Sequence, residues 1–230
     1  MIKNIMLQKL FSFLSLLLPS ISLAQTATDT IYIVPPQNNH SIYIESNKAS
    51  RLYNRILAFD FREDDPTYSS YLAYLQEKYE EPLPEQDLED IPRQWCPLYL
   101  YEGNYYLYSP CDYYNQYLLS FTNNAVIDYT GEGPMPGRIN LFRKEDGSTY
   151  VFSVDSWFAP ERTLILHIVD RDKGIAVMEE TVPDAPPLYM LIVSADKARN
   201  YPIIVNDCRY DGNDEFEFEQ PDFEELLESR

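Results

Sequence analysis

The sequence predicts a mainly β protein: an antiparallel up-and-down meander of about ten strands, forming a barrel or a two-layer sandwich, with one or two N-terminal helices packed on it. Three observations predict this. From residue 95 onward apolar and polar residues alternate at period two in short runs. The connections are of hairpin length, whereas parallel neighbours need crossovers of roughly a dozen residues. Only the segment ahead of these runs carries helical spacing. A sheet of this size must curl or close to hide its edges and its apolar face.

The first segment, residues 1–24, has the layout of a signal peptide. Lys3 and Lys9 flank a short start, residues 10–18 are an apolar run, and Ser22-Leu23-Ala24 is a small-residue cleavage site before Gln25. The run is too short for the roughly 20 apolar residues that a membrane span needs. The expectation is a secreted or periplasmic protein with no transmembrane anchor in the mature chain.

Residues 25–94 read as strands and helices packed on the sheet. Runs 30–34 and 41–45 are β-branched and tyrosine-rich, separated by the turn-forming cluster Pro35-Pro36-Gln37-Asn38-Asn39. Residues 50–59 suit a short helix through Leu52, Ile56 and Phe59. Asp65-Pro66 is a helix start, an N-cap acceptor followed by a residue with a fixed φ. Behind it Tyr68, Tyr71, Leu72, Leu75 and Tyr79 form one stripe, and Pro82 ends the run.

Residues 95–207 form the β domain, with strands expected at 98–102, 105–109, 117–122, 125–130, 138–143, 149–154, 163–169, 174–181, 188–194 and 201–206. In outline this layout is similar to calycin-type barrels, and no motif in the sequence assigns a family. Taking Asp146-Gly147 as a two-residue turn puts Arg143 opposite Tyr150, Leu141 opposite Phe152 and Ile139 opposite Val154 on the core face. Phe142 and Val151 then fall on the other face. Taking Gly103-Asn104 as a turn puts Cys96 across from Cys111, within disulfide reach, and leaves Cys208 free. It also sets Tyr99 against Tyr108 and Tyr101 against Tyr106 on one face.

Residues 208–230 are an acidic tail. Nine carboxylates from 211 onward and seven within 77–90 concentrate much of the acid in two blocks, read as solvated surface. Asp211, Asp214 and Glu215 are weak calcium candidates, lacking the alternating order of a calcium loop.

Eighteen basic against thirty-seven acidic residues give a formal net charge of -19, which excludes nucleic-acid binding in the absence of a basic patch. Gly131, Gly133 and Gly137 are stiffened by Pro134 and Pro136, so they make no phosphate cradle, and no cofactor is expected. His40 and His167 belong to no catalytic spacing. Asp155 and Glu161 bracket a loop containing Trp157 and are weak candidates for a glycosidase-like pair. The leading functional reading is an exported binding or accessory module. It would offer Tyr99, Tyr101, Tyr106, Tyr108 and Trp157, on a face or in a cavity, to a small apolar or carbohydrate ligand. The alternatives are a carboxylate hydrolase of extracellular glycans, or an acidic interaction or inhibitor protein docking on a basic partner.

Overall fold

The computed structural model describes residues 30–59, 66–79, 83–88, 90–156, 161–208 and 215–228. The signal segment, Trp157, Asp211 and Asp214 lie outside the described residues. In chain order the elements begin with β1 (Thr30–Gln37), β2 (His40–Glu45), α1 (Leu52–Ile56) and α2 (Pro66–Tyr79). Then come β3 (Gln94–Pro97), β4 (Tyr99–Tyr101), β5 (Asn104–Ser109), β6 (Leu118–Phe121), β7 (Ala125–Thr130), β8 (Gly133–Lys144) and β9 (Thr149–Asp155). β10 (Arg162–Asp170), β11 (Ile175–Thr181), β12 (Leu188–Ser194), β13 (Ile203–Cys208) and α3 (Phe223–Glu228) complete the chain.

Eight strands close an antiparallel barrel in the order β10-β11-β12-β3-β6-β7-β8-β9. Apart from the detour through β4 and β5 this is the chain order, so the expected up-and-down meander and its barrel alternative are both observed. Closure comes from β3, a four-residue strand that pairs with β12 (Val193 opposite Cys96) and with β6 (Trp95 opposite Leu119). Period two then sorts the side chains. Trp95, Phe121, Tyr150, Phe152, Leu164 and Met178 point inward into one core.

A second sheet, ordered β1-β2-β13-β5-β4, packs on the outside of the barrel. Leu107, Ile203 and Val205 of this sheet meet Cys96, Val177, Leu191 and Val193 of the barrel wall, with Tyr53 and Ile56 of α1 sealing the seam. Three strands expected in one meander, β4, β5 and β13, therefore belong to this side sheet. β13 pairs antiparallel with β2 and parallel with β5, because it arrives from across the barrel rather than from a hairpin.

Both turn registers differ from expectation. Glu102 and Gly103, at φ 48° and 71°, form the turn between β4 and β5, so Tyr99 faces Tyr106 and Tyr101 faces Asn104. That conformation suits glycine, which has no Cβ to clash. The shift is two residues, so the four tyrosines still share one face. At β8–β9 a bulge beside Asn140 adds a residue: Ile139 keeps Val154, but Leu141 faces Ser153 and Phe142 faces Phe152. The bulge turns Leu141 out to 50% exposure and brings Phe142 against the core, the reverse of the expected faces. The two N-terminal strands pair as expected, though their turn narrows to Asn38-Asn39 and both prolines lie in β1, an edge strand that tolerates them.

The expected Cys96–Cys111 disulfide is not formed. Cys111 bonds to Cys208, with Cα atoms 5.6 Å apart, and Cys96 is the buried free thiol. The reason is topological. Cys96 sits in β3, held in the barrel wall against Val193, while Cys111 follows β5 and is carried to the end of the parallel neighbour β13.

α2 packs against β8 with the expected stripe inward: Leu75 is fully buried, while Ser69, Ser70 and Gln76 are exposed. No helix among the described residues is long and apolar enough to cross a membrane.

Candidate functional site

The barrel interior holds an apolar core of packed side chains. Its apolar core gives way at one end to a buried polar group in which Arg162, the first residue of β10, donates through Nη2 to Asp128 and through Nη1 to Glu180, the latter at 3.2 Å. The Tyr117 hydroxyl donates to the other Asp128 oxygen at 2.7 Å. Burial opposes the charge on Arg162, but Asp128, Tyr117 and Glu180 hold the guanidinium charged, above its ordinary range. Asp128, Arg162 and Glu180 belong to inward positions of their strands and Tyr117 immediately precedes β6, so the group fills this end of the barrel.

The four tyrosines singled out by the sequence lie on the outer face of the side sheet, and the chain's own C-terminal segment packs on Tyr99, Tyr101 and Tyr108. Phe218 packs on Tyr99 and Tyr108, with ring centroids 4.4 and 5.0 Å away, and Phe216 packs on Tyr101 at 5.2 Å. Tyr101 and Tyr106 touch edge to face at 6.1 Å. The Glu219 N–H donates to the Leu100 carbonyl (3.1 Å), capping the edge of β4. Phe223 stacks on Tyr189 of β12 at 5.5 Å. Part of the acidic tail is thus a strap from the side sheet to the barrel, not a solvated run.

Glu215 anchors that strap. Its carboxylate accepts from the Tyr108 hydroxyl, from the N–H groups of Cys111 (3.3 Å) and Asp112 (2.9 Å), and from the amides of Asn115 (3.0 Å) and Asn206 (3.3 Å). Burial alone would raise its carboxyl, but these donors, the Tyr108 hydroxyl foremost, outweigh burial and hold it below its ordinary value. Burial and the Glu215 bond push the Tyr108 hydroxyl up to about 12. A carboxylate ringed by hydrogen-bond donors is the inverse of a cation site, and this corrects the calcium assignment of Glu215. Among the described residues no group of three or more His, Cys, Asp and Glu side chains could hold a metal ion.

Asp155 and Glu161 do come together, but through a backbone group. The Glu161 N–H donates to Asp155 Oδ1 at 2.8 Å, while its own side chain is exposed. Asp155 also accepts from the Tyr79 hydroxyl and lies 3.9 Å from Lys78 Nζ. Arg138, its cross-strand partner, stacks 4.0 Å over the Tyr79 ring. The cluster docks α2 on the barrel and joins Glu161 to Asp155. His167 faces Glu179 at 3.1 Å on the barrel wall.

A larger open site lies where the sequence offered no candidate. Between β1 and β2 a cleft of about 500 Å³ is lined by Tyr32 and Tyr43, Gln37, Asn38 and Asn39, Ser41, Glu45 and Asp207. The two rings meet edge to face at 5.8 Å, and Tyr32 is 50% exposed. The Tyr43 hydroxyl is raised by burial and by the Asp207 and Glu45 carboxylates, so it remains a neutral donor and acceptor at ordinary pH. A second cleft, of about 250 Å³, runs beside the strap between Leu98, Leu100, Tyr189, Leu191 and Phe223. Neither Asp155 nor Glu161 lines either cleft.

No family model matches the chain, nor does any curated protein or solved structure with which it was compared.

Proposed function

We propose that this is an exported binding protein that recognises carbohydrate on its side sheet rather than inside its barrel. One observation carries the reading: the β1–β2 cleft combines exposed aromatic rings with a ring of planar amides and carboxylates. A sugar presents apolar C–H faces to an aromatic ring and vicinal hydroxyls at its rim. Tyr32 and Tyr43 supply the first contact, and Gln37, Asn38, Asn39 and Asp207 supply both donors and acceptors for the second. The barrel interior, by contrast, is lined by packed apolar side chains such as Trp95, Phe121, Phe152 and Leu164. Export rests on the three-part N-terminal segment described above.

The test is a glycan-binding screen on the full mature chain, followed by Tyr32→Ala and Asn39→Ala. A glycan hit lost on Tyr32→Ala, with the melting temperature kept within about 1 °C, supports the reading, since Tyr32 is largely exposed and surface substitutions change stability little. A hit that survives both substitutions, or no hit across the screen, overturns it.

A further inference from the structure

The outer face of the side sheet receives a carboxylate, and most of the groups that receive it are also held by contacts outside residues 215–228. The Cys111–Cys208 disulfide fixes the loop that carries the Cys111 and Asp112 N–H groups to the end of β13. Asn206 of β13 presents its amide nitrogen toward Glu215 because its oxygen already accepts from His40 Nε2 at 2.7 Å. Tyr108 stands on β5, the next strand. The Tyr108, Asn206, Cys111 and Asp112 donors thus converge as a nest on one point of the sheet.

What sits in it does so as a peptide ligand does. Residues 215–220 form no strand, and their sole ladder contact with the sheet is the bridge from Glu219 to Leu100. Their hold comes from one carboxylate in the nest, two phenylalanine rings against tyrosines, and a second carboxylate, Glu219, accepting from the Glu102 N–H at 2.7 Å. A short extended segment held beside a sheet edge by a main-chain bridge, with side chains supplying the selectivity, is one way in which peptides are recognised.

We infer that this face is a receptor for an extended acidic segment of the pattern Glu-Phe-x-Phe-Glu on another polypeptide, and that residues 215–219 of the chain itself are its resident occupant. The carboxylate nest selects the first Glu, the tyrosine face selects the two Phe side chains, and the β4 edge selects the last Glu. Tethering gives the resident segment an effective concentration in the millimolar range, so an incoming segment must outcompete it or arrive at high local density. The site is distinct from the β1–β2 cleft, although His40 lines that cleft and also bonds Asn206 of the nest.

The test uses the intact chain and a fluorescein-labelled peptide copying residues 213–222. In one chain Glu215→Gln and Phe218→Ala together weaken the resident segment. The labelled peptide should bind this variant at least about tenfold more tightly than it binds the native chain, as expected once tethered competition is reduced. A peptide with Gln in place of its first Glu should lose at least about tenfold, because a neutral amide cannot accept from the whole nest. A folded variant, with its disulfide intact, that binds neither peptide, or both equally, overturns the inference. If the double substitution prevents folding, Phe218→Ala alone replaces it. Independently, excess peptide added to the native chain should shift the Phe216 and Glu219 amide resonances toward those of an unbound tail. Resonances unmoved at several millimolar peptide would also overturn the inference.

Discussion

The barrel and the side sheet solve the edge problem of β structure in opposite ways. The barrel joins β12 to β3 and has no edge left, and its interior is completed by its own strands, Arg162 included. The side sheet is assembled from three stretches of sequence, residues 30–45, 99–109 and 203–208, and keeps an edge at each end. One edge, β4, is capped by Glu219 of the tail, and the other, β1, leaves Ile31 61% exposed. Stability in the first region comes from closure and burial. In the second it depends on devices added at the strand ends: a disulfide, a carboxylate nest and a strap. The region that needs such devices is also the one that carries the larger cleft.

The largest expected effect breaks the barrel side of this comparison. Arg162→Met leaves Asp128 buried without its cation, which should cost about 3–5 kcal/mol and lower the melting temperature by on the order of 10 °C. Calorimetry checks this, and a loss below about 1 kcal/mol would mean the polar group is not sealed from water.

Next is the disulfide. Cys208→Ser opens a link spanning 97 residues and should cost roughly 2–5 kcal/mol. Its effect should be regional, with amide exchange rising in β1, β2 and β13 while β7 to β11 keep their protection. Uniform loss of protection would show that the two sheets unfold as one unit. In the denatured, unreduced protein one thiol per chain should label, and peptide mapping should place the label on Cys96.

Glu215→Gln sharpens the role of the strap. Replacing a half-buried carboxylate acceptor, partly screened by solvent, should cost about 1 kcal/mol near neutral pH. The sign with pH follows from its lowered pKa: the stabilisation is complete above the ordinary value of 4.5 and disappears as pH falls through the depressed folded-state value. Melting curves of native and variant chains should therefore diverge above about pH 5 and converge in acid. A gap that stays constant with pH would assign the loss to shape rather than charge.

The smallest effect belongs to the open edge. Ile31→Lys on β1 should change stability by less than about 0.5 kcal/mol while reducing any concentration-dependent association through that edge. Static light scattering at rising concentration reads the second part.

Much of the barrel was legible because period two survives in β6, β7 and β9 to β12, where strand boundaries agree with the pattern to within a residue or two. β3 was not, since Gln94–Pro97 is short, ends in proline and reads as part of the following hairpin. The bulge beside Asn140 has no sequence mark, yet one added residue reversed the faces of Leu141 and Phe142. The four tyrosines were correctly placed on one face, but their cover was missed. Phe216 and Phe218 alternate with glutamates at period two, a strand-like signal that high charge disguised. The β1–β2 cleft was illegible because bulges between Tyr32 and Val34, and again before Gln37, break the spacing that brings Tyr32 opposite Tyr43.

The place of β13 between β2 and β5 has a consequence for how the chain assembles as it is made. The last barrel strand ends at Ser194, so the barrel can close before residues 203–208 emerge, while β2 and β5 wait for them. During that interval Cys111 has one other cysteine in the chain, Cys96, about 15 residues away, and a loop so short is cheap to close. Barrel closure restrains that competitor, because it fixes Cys96 in β3 between β12 and β6. The packing of Ile203 and Val205 on the wall then buries it and pushes its thiol up to about 12, far from the reactive thiolate. Synthesis from the N-terminus thus favours the native pairing, provided the barrel forms faster than the first two thiols oxidise. A chain oxidised before it folds should trap Cys96 and Cys111 together, and it would then need a thiol–disulfide isomerase to recover.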